Sequence, residues 1–199
     1  MAIVICGPYS AMSLLNSEKR FGSLAIALHW LTLLAFIAAY ASMELEDAFP
    51  KGPARDLVKS VHFCAGLSVL LMGILRLGPY LRGPMPVIAP PLAAWQQGLA
   101  RWMHRGLYLL MFLLPLFGWL SLSAKGGAIS LPGFTLPALP LPATLAGNAD
   151  AAHWFKEIHE LLADLGYLLI GAHAGAALLH HYFLRDNTLT RMLPARRAR

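Results

Sequence analysis

The sequence predicts an all-α integral membrane protein: a bundle of four transmembrane helices, with both termini cytoplasmic and room inside for two stacked metal cofactors. Three observations predict it. Four long apolar runs cover residues 24–43, 58–77, 103–122 and 159–184; Lys and Arg are divided unevenly between the segments that join them; and histidines stand at matched depths within the runs. Hydrophobic residues make up 57% of the 199 and charged residues only 13%, where an ordinary soluble domain carries about a quarter charged residues. Each run reaches the roughly 20 apolar residues that a helix needs to cross a bilayer.

Taken in order, residues 1–20 form a leader with no span, in which Met12 is a possible natural start. The first run is too long for a signal-peptide core, lacks a small-x-small cleavage site and carries a histidine, so no cleavable signal is expected. The connection 44–57 is short and polar, with Pro50 and Pro53. The connection 78–97, with Pro79, Pro84, Pro86, Pro90 and Pro91, suits an extended strap. The third run contains Pro115, which is expected to kink it. The third connection, from Ser123 to about Lys156, is apolar yet too rich in proline to span as a helix; it reads either as a lid on the outer interface or as a loose loop. Residues 21–185 thus make the membrane domain and 186–199 a basic cytoplasmic tail.

The basic residues give the orientation. Lys19, Arg20, Arg76, Arg82, Arg101, Arg105, Arg185, Arg191, Arg196, Arg197 and Arg199 fall on one side, against Lys51, Arg55, Lys59, Lys125 and Lys156 on the other. The richer side is cytoplasmic by the positive-inside rule. The net charge of +6 is then mostly a topology signal and calls for no nucleic-acid partner. Cys6 and Cys64 fall in the leader and in the second helix, on opposite sides, so a disulfide between them is not expected.

The chemistry lies in the histidines. His159 and His173 are fourteen residues apart, which on an α-helix comes within about 40° of a whole number of turns and separates them by roughly 21 Å. Both rings therefore leave one face of the fourth helix, one towards each leaflet. Gly166 lies midway on that face and leaves room for something flat; Gly171 and Gly175 on the same helix and Gly66, four residues past His62, add to the small residues nearby. Depth pairs His62 with His159 near the periplasmic side and His29 with His173 near the cytoplasmic side. Such an arrangement reads as two haems with both axial positions closed by imidazole, which favours electron transfer over oxygen binding. His104 or His180 are alternatives for a cytoplasmic ligand; His180, with His104 as a second candidate, also suits a hydrogen-bond or proton partner for a quinone beside the cytoplasmic haem. His181 is an interfacial residue and His153 a solvent-facing one. Zinc hydrolase, covalent haem, phosphate-loop and nucleophile-elbow motifs are absent, and the histidines divide between two levels where zinc needs three or four ligands at one.

At LeuHisTrpLeu (28–31), ValHisPheCysAlaGly (61–66), TrpPheLysGluIleHisGlu (154–160), the stretch from Asp164 to Phe183 and ArgAspAsnThrLeuThrArgMetLeuPro (185–194), the chain resembles the bacterial cytochrome b561 family. The resemblance runs from about Ser17 onward and is close to the branch described as superoxide oxidase. It implies two haems b, held by His29 with His173 and by His62 with His159, and a quinone region near His180. It further implies a bacterial inner-membrane enzyme that oxidises periplasmic superoxide to dioxygen and reduces ubiquinone. The outer connections carry five basic against six acidic residues, so attraction of the superoxide anion would rest on local placement of Lys51, Arg55, Lys59 or Lys125, and superoxide follows from resemblance alone. The competing reading is a non-catalytic electron relay, or a membrane anchor for a dehydrogenase partner.

Overall fold

The computed structural model describes residues 14–194 apart from Lys19, Gly83, Met85 and Pro132, with no side chain described at 80–82. The expectations attached to Cys6, Met12, Lys19, Arg196, Arg197 and Arg199 lie outside the described residues. Four helices, α1 (Ser23–Glu46), α2 (Pro53–Arg82), α3 (Ala94–Ala124) and α4 (Ala149–Leu179), are each long and apolar enough to cross a membrane. Helix α4 continues as a π-helical turn, His180–Leu184, and a 3-10 turn follows at Thr190–Met192.

Each helix begins before the apolar run that marks it, and α1, α2 and α3 also end beyond theirs. Helix α2 opens on Pro53, whose missing N–H costs nothing in a first turn. Helix α4 begins ten residues before His159, where the Asn148 side chain accepts the Ala151 N–H at 3.0 Å. Helix α3 starts at Ala94 and stays α-helical through Pro115; past its end Gly126, at φ +73°, turns the chain in a left-handed conformation that suits glycine. Charges assigned to connections from hydropathy therefore sit on helices: Arg55, Lys59 and Arg76 on α2, Arg101 and Arg105 on α3, and Lys156 on α4. Arg76 is the consequential case, because it faces the bundle rather than a loop.

Helices α1 and α2 pack along each other, as do α3 and α4, and α2 meets α3 over a smaller contact. An even number of crossings leaves both ends of the described chain at one end of the bundle. At the other end the proline-rich connection forms an antiparallel hairpin, β1 (Ile129–Leu131) with β2 (Phe134–Leu136), whose first strand packs on α2. Ile129 is buried there, Trp119 donates to the Pro137 carbonyl at 3.3 Å, and the Leu139 N–H donates to the Ser123 hydroxyl at 2.9 Å. The segment is thus pinned to α2 and α3 and is not a loose loop.

Packing is tightest midway along the bundle, where Phe36, Val69, Leu110 and Met111 are buried with Tyr40, Leu114, Leu162 and Ile170 against them. Leucines such as Leu31, Leu34, Leu71 and Leu168 face outward, as apolar side chains in contact with lipid should. Gly166 is buried in the packed region, but not to admit a flat group: a Cβ there would overlap the Tyr40 hydroxyl, which donates to the Ala163 carbonyl at 2.8 Å. Tyr40 stacks on Phe36 and lies tilted against Tyr167, with 4.2 Å between ring centres. Nor do Gly171 and Gly175 face a cofactor. Each lies two residues from His173, about 160° around the helix, with no side chain or backbone from elsewhere within 4 Å.

Gly166→Ala should therefore expel the Tyr40 ring from its slot and destabilise the bundle by about 1–3 kcal/mol. A lowered thermal unfolding midpoint in detergent would show this, with partial recovery in the Gly166→Ala, Tyr40→Phe double variant.

Candidate functional site

Helix α4 presents His159 and His173 to its neighbours at two heights. The His159 ring centre is 6.0 Å from that of His62 on α2, with the planes at 84°; the His173 centre is 6.2 Å from that of His29 on α1, at 65°. Two metal–imidazole bonds of about 2 Å each, together with the distance from ring nitrogen to ring centre on either side, come to roughly 6 Å. Both separations therefore leave room for one metal ion bound between the rings.

At the His62–His159 pair, the one nearer the hairpin and called outer for that reason, the second ring nitrogens are already committed. His62 Nδ1 lies 3.0 Å from the Ala39 carbonyl and His159 Nδ1 lies 2.8 Å from the Leu114 carbonyl. A carbonyl only accepts, so each Nδ1 carries the proton and each Nε2 keeps a lone pair for a metal. Gly118 on α3 makes this possible on one side, since a Cβ there would come within 2.9 Å of the His159 ring. Gly66, on nearly the same face of α2 as His62, has open space in front of it. The donor set and this gap fit a flat, iron-centred macrocycle, and among the described residues no three or more His, Cys, Asp or Glu side chains gather to hold a bare ion.

The inner pair is more crowded. His104, brought three turns into α3 by the early start of that helix, has its ring centre 5.4 Å from that of His173 and donates from Nδ1 to the Ala100 carbonyl at 2.7 Å. That separation is shorter than an interposed ion requires, so His29 is the better partner for His173. Arg76 approaches from α2: its Nη2 lies 3.3 Å from His29 Nδ1 and its guanidinium sits 5.7 Å from the Tyr108 ring centre. Sequence reasoning counted Arg76 only as a topology charge at the end of the second apolar run, although it lies fourteen residues past His62 and so on the same helix face.

Beyond α4 the chain folds back over this end of the bundle. Arg185 takes a left-handed conformation at φ 54°, which turns Asp186 inward. The Asp186 carboxylate, with its side chain 2% exposed, accepts from His180 Nδ1 at 2.5 Å and from the Thr188 N–H at 2.8 Å. Asn187 pairs with Ala89 in the second connection, donating from its own N–H at 3.3 Å and accepting the Ala89 N–H at 2.9 Å. Trp30 donates to the Met192 carbonyl at 2.9 Å, so it is tied to the tail. A π-helical turn and a non-glycine left-handed residue together are a costly local geometry, the kind that collects at functional sites. His180 was anticipated; Asp186 was not, although it is the first acidic residue after the last helix.

A four-helix membrane bundle whose interior offers facing pairs of imidazoles, with the outer pair locked in the ligating tautomer, defines a class, the membrane cytochromes of the b type. The family model for prokaryotic cytochrome b561 matches residues 20–195. The chain is 42% identical over 180 residues to cytochrome b561 homolog 1 of Escherichia coli (strain K12), covering 90% of this chain and 99% of that one. It is 39% identical over 180 residues, with the same coverage, to a protein of Yersinia pestis named probable superoxide oxidase CybB, and 30% identical over 189 residues to cytochrome b561 homolog 2 of Escherichia coli, covering 92% of this chain and 95% of that one. The chain belongs to the prokaryotic cytochrome b561 family. It is a multi-pass bacterial membrane protein of electron transfer, and the family implies haem b.

Asp186 gives a pH-dependent prediction. Burial opposes its ionisation, but the hydrogen bonds from His180 and Thr188 outweigh this and hold its carboxyl below the usual carboxylate range. The native clasp is then fully present above about pH 4, where the free carboxylate is ionised, and is lost as pH falls through the lower native value. Asp186→Asn should loosen residues 186–194 at neutral pH, seen as faster amide hydrogen exchange in that segment. Wild-type exchange should rise to match only under acid conditions.

Proposed function

We propose that the chain holds two haems b, one between His62 and His159 and one between His29 and His173, and carries electrons across the bilayer from superoxide outside to ubiquinone on the cytoplasmic side. The observation that supports this most is the pair of ring separations, 6.0 and 6.2 Å, at two heights on one helix. Each haem, when bound through two imidazoles, supplies one-electron redox chemistry with no open position for oxygen. The basic residues at the terminal end, among them Arg20, Arg101, Arg105, Arg185 and Arg191, support cytoplasmic termini.

The net reaction takes one electron from each of two superoxide anions, releases two dioxygens, and adds two electrons and two protons to the quinone. The protein's part outside is to hold His62 and His159 with their protons turned to backbone carbonyls, while the β1–β2 hairpin limits water on the adjoining face of α2. Superoxide rests on the name carried by the Yersinia relative. Local charge does not concentrate there: Arg55 lies 2.8 Å from both Glu46 and Asp47, and Lys59 lies 3.4 Å from Glu46. That engagement of outer cations favours the second reading, a relay for a redox partner that delivers electrons directly. On the cytoplasmic side His180, held by Asp186 through Nδ1, keeps Nε2 for the quinone, and Asp186 fixes the orientation of that ring.

His62→Ala and His159→Ala should each remove the outer haem alone and His29→Ala the inner one, halving the haem content per chain, whereas His104→Ala should retain both; pyridine haemochrome analysis reads the count. Stopped-flow mixing with superoxide should reduce the wild-type haems and fail to do so in His62→Ala. His180→Ala should slow quinone reduction by roughly 10²-fold or more without slowing the reduction of the haems by superoxide. Equal reduction of wild type and His62→Ala, or copurification of a stoichiometric redox subunit that reduces the haems, would replace the superoxide reading with the relay.

A further inference from the structure

Arg76 is a guanidinium inside the span Pro53–Pro79, half-buried and turned into the bundle. Its contacts are the His29 ring nitrogen at 3.3 Å and Tyr108, whose side chain it hydrogen-bonds and whose ring centre lies 5.7 Å away, and among the described residues it forms no ion pair. The carboxylate at this end of the bundle, Asp186, is spent on His180 and Thr188. A cation in a membrane span without a counter-charge is costly and marks a function.

The contact with His29 does not meet that need. Arginine has five N–H donors, no acceptor, and does not deprotonate in proteins. For Arg76 to bond to His29 Nδ1, the imidazole proton would have to sit on Nε2, where it blocks the nitrogen left for a metal. Ligation by His29 through Nε2 requires the proton on Nδ1, which then confronts a donor. Arg76 and a ligating His29 are compatible only if the guanidinium turns to an acceptor of its own. The Tyr108 hydroxyl is a neutral acceptor and leaves the charge unmatched, so a counter-charge must come from an anion small enough to reach between α1 and α2 and present whenever His29 binds iron. The carboxylate side chains of haem b meet all three conditions.

We propose that Arg76 binds a propionate carboxylate of the inner haem, with Tyr108 flanking the guanidinium. This rests on the dihaem reading above. It makes Arg76 a positioning residue for that cofactor, one that fixes its rotation about the His29–His173 axis and places a positive charge beside it. Arg–carboxylate pairs are charge-assisted and often two-pronged, so the lost contact should weaken retention of the inner haem by roughly tenfold or more.

The test is a spectroelectrochemical titration of quinone-free wild type, Arg76→Lys and Arg76→Gln, each loaded with haem b and, separately, with its dimethyl ester. With haem b, Arg76→Gln should lower the midpoint potential of the inner haem and speed its loss on dilution, leaving the outer haem unchanged, and Arg76→Lys should fall between. With the ester these differences should disappear, because no carboxylate remains to bind. Differences that persist with the ester, or an inner haem identical in all three proteins, overturn the assignment; so does an effect that appears only after ubiquinone is added, which would give Arg76 to the quinone. If Arg76→Gln does not accumulate, wild type alone decides: its inner potential should fall and its retention weaken with the ester, and an unchanged inner haem overturns the proposal. A wild-type protein with a single haem, on His62 and His159, would fail the dihaem reading as well.

Discussion

The structure depends on a single geometric demand placed on helix α4: one face must meet two different helices at two heights, each time with a histidine. The fourteen-residue interval between His159 and His173 satisfies it, because the residue count closes nearly on whole turns. Helix α2 answers at the outer height with His62 and α1 at the inner height with His29. Both partners must approach α4 to about the same distance, although they belong to one hairpin and run in opposite directions. The rest of the bundle is arranged so that they can.

What keeps the two heights apart is the packed middle. Tyr40 enters the gap left by Gly166 and anchors itself on the Ala163 carbonyl, with Phe36, Leu110 and Met111 around it. A tyrosine hydroxyl buried in a bilayer needs a partner, and the helix carbonyl supplies one without introducing charge. The same economy recurs at the outer pair, where backbone carbonyls on α1 and α3 take the imidazole protons. Polar groups at the terminal end are instead satisfied by the returning tail, through Asp186, Asn187 and the Met192 carbonyl. The outer site is thus built from helices, whereas the inner one is closed by a segment that folds over it.

Much of this was legible in the sequence because spacing and hydropathy act locally. The number of helices, the shared face of His159 and His173 and the pairing by depth all follow from periodicity and length. The contacts that were missed depend on where a helix stops, which hydropathy reports poorly when the last turns are amphipathic. Arg76 was counted with the connection because it stands at the very end of the apolar run 58–77, yet the helix runs on to Arg82 and places it more than a turn inside. His104 looked like the start of a helix that in fact begins ten residues earlier. Glycine was misread for a different reason. A missing side chain says that something comes close, but not whether it is a cofactor, as the space before Gly66 allows, a tyrosine, as at Gly166, or a ligand ring, as at Gly118. Family membership then supplies the kind of cofactor, while at the hairpin end salt bridges already occupy Arg55 and Lys59.

The central claim is that four histidines in two pairs hold two haems with both axial positions closed. Low-temperature electron paramagnetic resonance of the oxidised native protein, with spins and haem counted per chain, tests it most directly. The account predicts two low-spin ferric signals in equal amounts and two haems per chain. One haem per chain, or a high-spin signal from an open iron position that accounts for half the iron, would contradict it.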